Sequence, residues 1–286
     1  MVTRASLVAE FAAALSLAGF DEPRRQARRL IASALPISPA DLFGNPDRAV
    51  DEQQIVQLKG MLSRIIEHEP LSRILGRREF WGLEFALSAA TLDPRPESET
   101  VVEAVLRRKS HRDAPLRLLD LGTGTGCLLL ALLSEFPAAT GFGIEIAEDA
   151  VKTAADNAAR LGLAERALFL VGNWAAAVSR SFDAIIANPP YIASAQLPLL
   201  PHAVARYDPW PALDGGADGL ASFRAIAADL PRLLAPQGIF VTEVGVGQAD
   251  EVARIMKAHG LTPDGIDKDL AGIARCVIAH RCDIGI

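Results

Sequence analysis

The sequence is poor in cysteine and has no excess of basic charge. It has three cysteines, Cys127, Cys276 and Cys282, an odd number without the spacing of metal ligands. The sequence therefore indicates neither a disulfide framework nor a structural zinc site. A reducing, cytoplasmic environment fits this cysteine content best. Lys and Arg total 29 against 35 Asp and Glu, a net charge of −6. This balance argues against a protein that holds bare nucleic acid by phosphate neutralisation alone. The five histidines are scattered without acidic or cysteine partners at ligand spacing, so we expect no metal site.

Long apolar runs are also missing. No stretch reaches the roughly 18 uninterrupted apolar residues that a membrane span needs, so we expect no membrane partner. The first 20 residues resemble a signal peptide in composition, but Glu10 interrupts the apolar run and Leu7, Phe11, Leu15 and Leu17 recur at helical spacing. The pattern predicts an amphipathic core helix instead.

Residues 1 to about 75 show helical patterns only. Asp21 and Pro23 predict the start of a second helix, with Asp21 as its N-cap. A third pattern between Asp51 and His68 places apolar residues on one side. From Arg77 to Pro94 the period changes to the alternation of a β-hairpin with Gly82 at its centre. We therefore predict a helical N-terminal domain (residues 1–75), a β-hairpin linker (76–94) and a catalytic domain (95–286).

After residue 114 apolar strands alternate with helices. The predicted strands are residues 116–121, 141–146, 167–172, 182–187 and 238–244, followed by a helix at 248–258 and two last strands. Such alternation requires a mainly parallel sheet covered by helices on both faces, an α/β fold. In such folds ligands bind outside the carboxyl ends of the strands, so the residues at those positions are the candidates for a binding site.

A glycine-rich turn follows the first of these strands. Asp120 precedes GTGTG (Gly122, Thr123, Gly124, Thr125 and Gly126), and a helix opens at Cys127. Glycines allow a sharp turn and a close approach of a ligand. Glu145, 25 residues after Asp120 and at the end of the next strand, can accept hydrogen bonds from both hydroxyls of a ribose. Because the spacing is not GxGxxG, the pattern favours a nucleoside cofactor without phosphates.

The pattern DLGTGTG followed by Glu145 resembles the cofactor site of class I S-adenosylmethionine-dependent methyltransferases, which have a Rossmann-like, mainly parallel seven-stranded sheet. The resemblance implies that the glycine loop and Asp120 hold the cofactor, that Glu145 binds its ribose, and that Trp174, after the third strand, flanks the adenine. A half-buried packing role for Trp174 is the alternative. Asn173 stands where many relatives have aspartate.

A second motif, Asn188-Pro189-Pro190-Tyr191, follows the fourth strand at the carboxyl edge of the predicted sheet. An amide nitrogen is a poor nucleophile because its lone pair is delocalised. A site that accepts both N–H bonds, through the Asn188 side-chain oxygen and the Pro189 carbonyl, can hold this nitrogen in line with a methyl sulfonium. The prolines stiffen the loop, and the Tyr191 ring can stack on a flat substrate group. A plain proline-rich turn is the structural alternative.

NPPY resembles the catalytic motif of methyltransferases that act on planar NH2 groups, and the rest of the chain resembles the protein-(glutamine-N5) methyltransferases of release factors, the HemK or PrmC family. The stretches that carry this resemblance are Gly76, Glu79-Phe80, Gly82, residues 93–99, residues 207–220, Glu243, Gly245, Gln248, residues 269–272 and Arg275. Ser98 and Asp208 depart from the threonine and glutamate usual there. The likeness covers essentially the whole chain.

The resemblance implies methyl transfer from S-adenosyl-L-methionine, giving S-adenosyl-L-homocysteine, to the glutamine of the GGQ motif in class 1 peptide-chain release factors. Asn188, Pro189, Pro190 and Tyr191 would form the catalytic and substrate-binding loop, and Asn188 would also contact the cofactor. Residues 1–75 would dock the substrate protein. We expect a monomer without direct nucleic-acid contacts.

Other functions remain as alternatives. One is methylation of a ribosomal-protein glutamine; another is methylation of nucleic-acid amino groups, against which the charge of −6 stands. A third alternative is a protein adaptor that binds the cofactor but catalyses no methyl transfer. Such an adaptor would be expected to have a damaged NPPY loop. Four arginines of the second helix (Arg24, Arg25, Arg28 and Arg29) form either a solvated face or a docking patch for an acidic protein partner.

Overall fold

The computed structural model describes residues 1–35, 37–176 and 178–281, so Cys282 lies outside the described residues. The chain divides into two compact units, Met1–Gly76 and Arg77–Ile286. Across the described ranges, no helix has both the length and the apolar character that a membrane crossing requires.

The N-terminal unit is a helical bundle. Its described helices are α1 (Arg4–Leu17), α2 (Pro23–Ala34), α3 (Pro39–Gly44), α4 (Glu52–Ile66) and α5 (Leu71–Leu75). Thr3 and Asp51 begin α1 and α4 with capping boxes. Leu7, Phe11 and Leu15 are fully buried in one apolar core shared with α2 and α4. This packing stabilises helices that would be marginal in isolation.

Two details of the predicted bundle are wrong. Asp21 does not cap α2: the N-cap is Glu22, which has a φ of 48° and no side-chain cap hydrogen bond, while the Asp21 carbonyl accepts a bond from Gln26 Nε2. Leu17 is 91% exposed, because a residue two positions after Leu15 lies on the other side of a helix. On α2, Arg24, Arg25 and Arg29 are exposed.

The predicted hairpin is present but shorter. β1 (Arg77–Phe80) and β2 (Leu83–Ala86) pair antiparallel, and Trp81 and Gly82 at the turn both have positive φ, as a two-residue hairpin turn requires. Residues 87–94 form no strand. The Trp81 N–H donates to Glu99 and its indole N–H to Glu135, both at 2.8 Å. The hairpin is thus fixed to the second unit, which begins at Arg77.

The second unit contains a seven-stranded sheet in the order β5-β4-β3-β6-β7-β9-β8. Its strands are β3 (Arg117–Leu121), β4 (Thr140–Glu145), β5 (Ala167–Val171), β6 (Phe182–Ala187), β7 (Leu234–Glu243), β8 (Leu261–Lys268) and β9 (Ala274–Arg281). β3 to β7 run parallel, and β9 is antiparallel to β7 and β8. The predicted α/β class with a mainly parallel sheet is confirmed.

Helices cover both faces of the sheet. α6 (Glu99–Arg108), α7 (Cys127–Glu135) and α8 (Glu148–Arg160) pack on one face, and α10 (Ala221–Leu233) and α11 (Ala249–Ala258) on the other; the short α9 (His202–Tyr207) lies between β6 and α10 in the chain. Successive residues of β6 alternate between the two cores, with Ile186 on the first face and Ile185 on the second. The carboxyl ends of β3, β4, β5 and β6 therefore meet at one edge, where such sheets bind ligands.

Candidate functional site

The loop after β3 is shaped by its glycines. Gly122, Gly124 and Gly126 have φ of 75°, 54° and 80°, a region that other residues adopt only with strain. A Cβ on Gly126 would lie 3.2–3.3 Å from Leu130, Ala154 and Phe169. The backbone N–H groups of Gly122 and Thr123 donate to the carbonyl of Ile144 on β4. These contacts hold the loop beside the end of β4.

A cavity of about 490 Å³ opens at this edge of the sheet. Its wall includes the loop residues Gly122, Thr123, Gly124 and Thr125 together with Glu145, Asn173, Trp174, Asn188 and Asp214. Among the described residues that line it there is no lysine or arginine, and Glu145 and Asp214 are acidic. A cavity of this charge fits a cationic nucleoside better than a phosphate-bearing dinucleotide.

Glu145 already carries several hydrogen bonds at the end of β4. Its Oε2 accepts from the Gly124 N–H at 3.1 Å, and its Oε1 accepts from the N–H groups of Ile146 and Ala147 at 2.7 and 3.2 Å. These bonds fix the carboxylate at the cavity wall. A carboxylate has about four acceptor positions, so capacity remains for a ligand hydroxyl.

Asp120 does not lie on the cavity wall. Its side chain is 1% exposed and turns into the glycine loop, where Thr123 Oγ1 donates to Oδ2 at 2.6 Å. Within the described part of the chain, Oδ1 has no hydrogen-bond partner. Burial raises the pKa of the Asp120 carboxyl to about 7, opposed by the Thr123 hydrogen bond. The structure thus places Asp120 behind the glycine loop and not on the cavity wall, and its predicted contact with the cofactor stays a prediction.

Gly126, like Asp120, is absent from the cavity wall and faces the core.

Trp174 lines the cavity and is half-buried, with a φ of 48°. Its ring would lie 3.5 Å from a Cβ on Gly122. The indole therefore packs over the glycine loop at the cavity wall, and the adenine contact predicted for it stays a prediction.

The NPPY loop leaves the end of β6, and Asn188 is its first residue. Asn188 Nδ2 donates to Ser98 Oγ at 3.1 Å. Further along, the Ile192 N–H donates to the Leu213 carbonyl at 3.0 Å, and Gln248 Nε2 donates to the Tyr191 carbonyl at 2.9 Å. Hydrogen bonds to residues distant in sequence therefore hold the loop at its first residue and just after its last.

A second cavity, of about 210 Å³, lies beyond this loop. Its lining includes Arg95, Asn188, Tyr191 and Glu243. Leu92, Asn188 and Ala212 line both cavities, so Asn188 is the polar side chain that the two share among the described residues. Pro190 lines the larger cavity, and Pro189 is buried and lines neither. The predicted loop therefore stands between a large and a small chamber.

Sequence reasoning did not place Ser98 or Glu243 in the site. Glu243 ends β7 and is 1% exposed; it accepts hydrogen bonds from Ser98 Oγ at 2.5 Å and from Tyr191 Oη at 3.3 Å. Burial raises the pKa of its carboxyl to about 7, against the opposing effects of Ser98 and Arg275. The sequence contained one signal for Glu243: it is a charged residue within the apolar strand GIFVTEV. Buried charges are rare unless they are paired, so such a residue is a candidate for a specific role.

Arg95 was also not predicted as a site residue. It lines the smaller cavity and forms an ion pair with Asp208 at 2.5 Å. Asp208 is almost fully buried, so the pair connects the segment after the hairpin to the start of the 207–220 stretch. Both residues belong to the stretches that carried the family resemblance, which was the signal available for them.

Comparisons with known proteins agree with this geometry. Residues 6–76 match the family described as PrmC N-terminal domain, and residues 112–267 match that described as Methyltransferase domain. The solved structure of a methyltransferase from Pyrococcus furiosus, 15% identical, covers 77% of this chain and 98% of its own with a TM-score of 0.51. At that identity it shows the shared fold alone.

Curated relatives are much more similar in sequence. The release factor glutamine methyltransferase of Rhodospirillum rubrum is 51% identical, over 93% of this chain and 82% of that protein. The protein of the same name from Agrobacterium fabrum is 41% identical, over 97% of this chain and 98% of that protein. Such identity over most of the length of both chains shows membership: the chain belongs to the release factor glutamine methyltransferase family.

Proposed function

We propose that this protein transfers a methyl group from S-adenosyl-L-methionine to the side-chain amide nitrogen N5 of a glutamine in a peptide-chain release factor. The observation that carries the proposal is the position of Asn188, which lines both the large and the small cavity. A side chain at this boundary can contact a cofactor on one side and a substrate amide on the other. The names of the relatives support the release factor as substrate.

The larger cavity fits S-adenosyl-L-methionine by charge and by shape. Its wall contains Glu145 for the ribose hydroxyls, the indole of Trp174 for the adenine and the glycine loop for close approach of the backbone. The acidic lining without lysine or arginine suits a sulfonium cation. When bound, the cofactor supplies an electrophilic methyl group. Asp120 and Gly126 support the loop from behind.

The NPPY loop supplies what an amide nucleophile needs. The Asn188 side-chain oxygen accepts one N–H of the glutamine amide and the Pro189 carbonyl accepts the other, which orients the nitrogen towards the larger cavity. Accepting these protons also favours the electron density that builds on nitrogen in the transition state. Positioning of this kind converts an encounter of two molecules into a reaction within one complex. Tyr191, in the wall of the smaller cavity, can stack on the amide plane.

We assign docking of the substrate protein to residues 1–75, which form their own apolar core and match the PrmC N-terminal domain. The glutamine is that of the GGQ motif, the substrate position that the family resemblance implies. Because release factors act in translation, we place the reaction in the cytoplasm, and we expect the enzyme to act as a monomer.

The proposal is tested by offering the purified enzyme labelled S-adenosyl-L-methionine with three substrates in parallel: a class 1 release factor, a glutamine-bearing ribosomal protein and DNA. We expect label in the release factor, and none in a release factor whose GGQ glutamine is changed to glutamate. Label in the ribosomal protein or in DNA, with none in the release factor, would contradict the proposal and support the corresponding alternative.

A further inference from the structure

Three side chains connect the NPPY loop to a buried carboxylate. Asn188 Nδ2 donates to Ser98 Oγ at 3.1 Å, and Ser98 Oγ donates to Glu243 Oε2 at 2.5 Å. The other oxygen of Glu243 accepts from Tyr191 Oη at 3.3 Å. Ser98 and Glu243 are 2% and 1% exposed, while Asn188 lines both cavities. The chain of bonds therefore runs from the protein core to the site.

The direction of these bonds determines how the Asn188 amide is oriented. A serine hydroxyl has one hydrogen, and here Ser98 gives it to Glu243, so Ser98 Oγ can only accept from Asn188. Asn188 must then present its NH2 group to Ser98. Its Oδ1, to which no described residue donates, is left to accept a hydrogen bond from a ligand.

If Glu243 were protonated on Oε2, the hydrogen bonds that join Glu243, Ser98 and Asn188 could run in the opposite direction. The carboxyl O–H would donate to Ser98 Oγ, which would be free to donate its own hydrogen to Asn188 Oδ1. The amide would then turn its NH2 group towards the substrate amide, whose nitrogen also carries hydrogens. Two donors facing each other form no hydrogen bond, so this state could not hold the nucleophile.

We propose that Glu243 and Ser98 are positioning residues which orient the Asn188 carboxamide, and that only the ionised form of Glu243 leaves Asn188 Oδ1 open to the substrate amide. The inference rests on the proposed function, since it assigns the substrate as an amide donor. It extends that function because the proton on Glu243 would control how the Asn188 carboxamide is oriented. Ser98 and Glu243 would act through Asn188 and would not themselves touch the reacting atoms.

The groups that face Glu243 come from several elements. Arg275 on β9 lowers the pKa of Glu243, Glu97 in the turn before α6 raises it, and Tyr191 lowers it by donating a hydrogen bond. Cys276 lies opposite Glu243 in the β7–β9 pairing. Arg275 is itself paired with Asp269 at 3.1 Å. Arg95 shares the wall of the smaller cavity with Glu243 and is paired with Asp208.

Burial outweighs these charges and raises the pKa of Glu243 to about 7. The pKa of the Tyr191 hydroxyl is also raised by burial and by Glu243, so Tyr191 stays protonated and remains a donor. The orientation step is therefore expected to respond to pH near neutrality, with the competent state favoured above pH 7.

Three variants separate orientation from structure. Ser98→Ala removes the acceptor of the Asn188 N–H, whereas Ser98→Thr keeps a hydroxyl that can accept from Asn188 and donate to Glu243. Glu243→Gln keeps an oxygen that can accept from Ser98 but does not titrate. Thermal unfolding and cofactor affinity are measured for each variant to show that the site is folded.

We expect Ser98→Ala to lower the single-turnover rate about 10- to 100-fold, the loss found when residues that orient metal ligands are removed, with cofactor affinity nearly unchanged. Ser98→Thr should restore most of the rate. The wild-type rate should rise with pH between about 6 and 8, and Glu243→Gln should be flat over that range. A Ser98→Ala enzyme of wild-type rate and pH profile would overturn the proposal.

The amide can also be observed without turnover. The chain has four asparagines, Asn45, Asn157, Asn173 and Asn188, so labelling asparagine side chains with 15N gives four pairs of NMR signals. We expect the Asn188 pair to titrate near pH 7 in the wild type and not in Ser98→Ala or Glu243→Gln, with the other three as references. An Asn188 pair that does not respond to pH would contradict the inference. This readout needs no substrate, so it remains valid even if the release factor were not methylated.

Discussion

Single residues in this site perform structural and chemical tasks together. Glu145 accepts hydrogen bonds from the Gly124 N–H of the glycine loop and from the N–H groups of Ile146 and Ala147, which directly follow it. Its position at the end of β4 was predictable, because an acidic residue after the second strand serves nucleoside cofactors in many α/β folds. The orientation of Asp120 was not predictable, since a strand residue can face the cavity or the loop and the sequence does not distinguish them.

Changing Glu145 to Ala is expected to weaken binding of S-adenosyl-L-methionine about 10-fold or more, because the ribose loses a charged acceptor worth about 1.5–3 kcal/mol. Titration calorimetry measures the effect. Glu148→Ala, an exposed change at the start of α8, is the matched control and should bind normally. Equal affinities for the two variants would show that the ribose is held elsewhere.

The buried carboxyls of Asp120 and Glu243 make stability depend on pH. Both have a pKa of about 7 in the folded protein, compared with about 4 in an unfolded chain. The folded state therefore binds more protons between these values, and the free energy of unfolding should fall as pH rises from about 5 to 8. Urea unfolding at several pH values tests this, and Glu243→Gln should reduce the slope. A free energy that increases steadily over this range would refute the assignment.

At the scale of elements, the strand ends were the most predictable part of the fold. The helix after GTGTG begins at Cys127 as predicted, and β6 ends directly before Asn188, because apolar runs bounded by glycine and proline mark these positions clearly. The hairpin was predicted to be longer, since the alternation up to Pro94 continues past the last paired residue, Ala86. The Ser98–Glu243 bond joins residues 145 positions apart, and no local pattern contains that information.

Two glycines of one loop should respond differently to alanine. At Gly126 a Cβ meets three side chains at 3.2–3.3 Å, whereas at Gly124 nothing lies within 4 Å, although both have positive φ. Gly124→Ala should cost about 1–2 kcal/mol from backbone strain, and Gly126→Ala about 1–3 kcal/mol more from crowding.

The three tryptophans, Trp81, Trp174 and Trp210, all lie in the second unit, so fluorescence-detected urea unfolding reports on the glycine variants there. Cofactor affinity should change more for Gly124→Ala, since Gly124 lines the cavity and Gly126 does not. A more stable Gly126→Ala than Gly124→Ala protein would contradict the role of packing around this loop.

At the scale of the whole molecule, the two units divide the proposed work. Every residue of the two cavity walls lies between Ala90 and Glu243, within the second unit. Removing residues 1–75 should therefore leave cofactor affinity nearly unchanged while methylation of an intact release factor falls sharply. Circular dichroism shows whether the truncated protein is folded. A folded truncated enzyme that methylates the release factor at the wild-type rate would remove the docking role.

The most direct test of the account is the single-turnover rate of Asn188→Ala with a release factor, with the product located by mass spectrometry of the GGQ peptide. Loss of a positioned polar partner costs about 2.7–4 kcal/mol in comparable sites, so we expect the rate to fall about 100- to 1,000-fold with little change in cofactor affinity. Tyr191→Ala should be milder, because stacking contributes about 0.5–1.5 kcal/mol. An Asn188→Ala enzyme that methylates the same glutamine at nearly the wild-type rate would contradict the account.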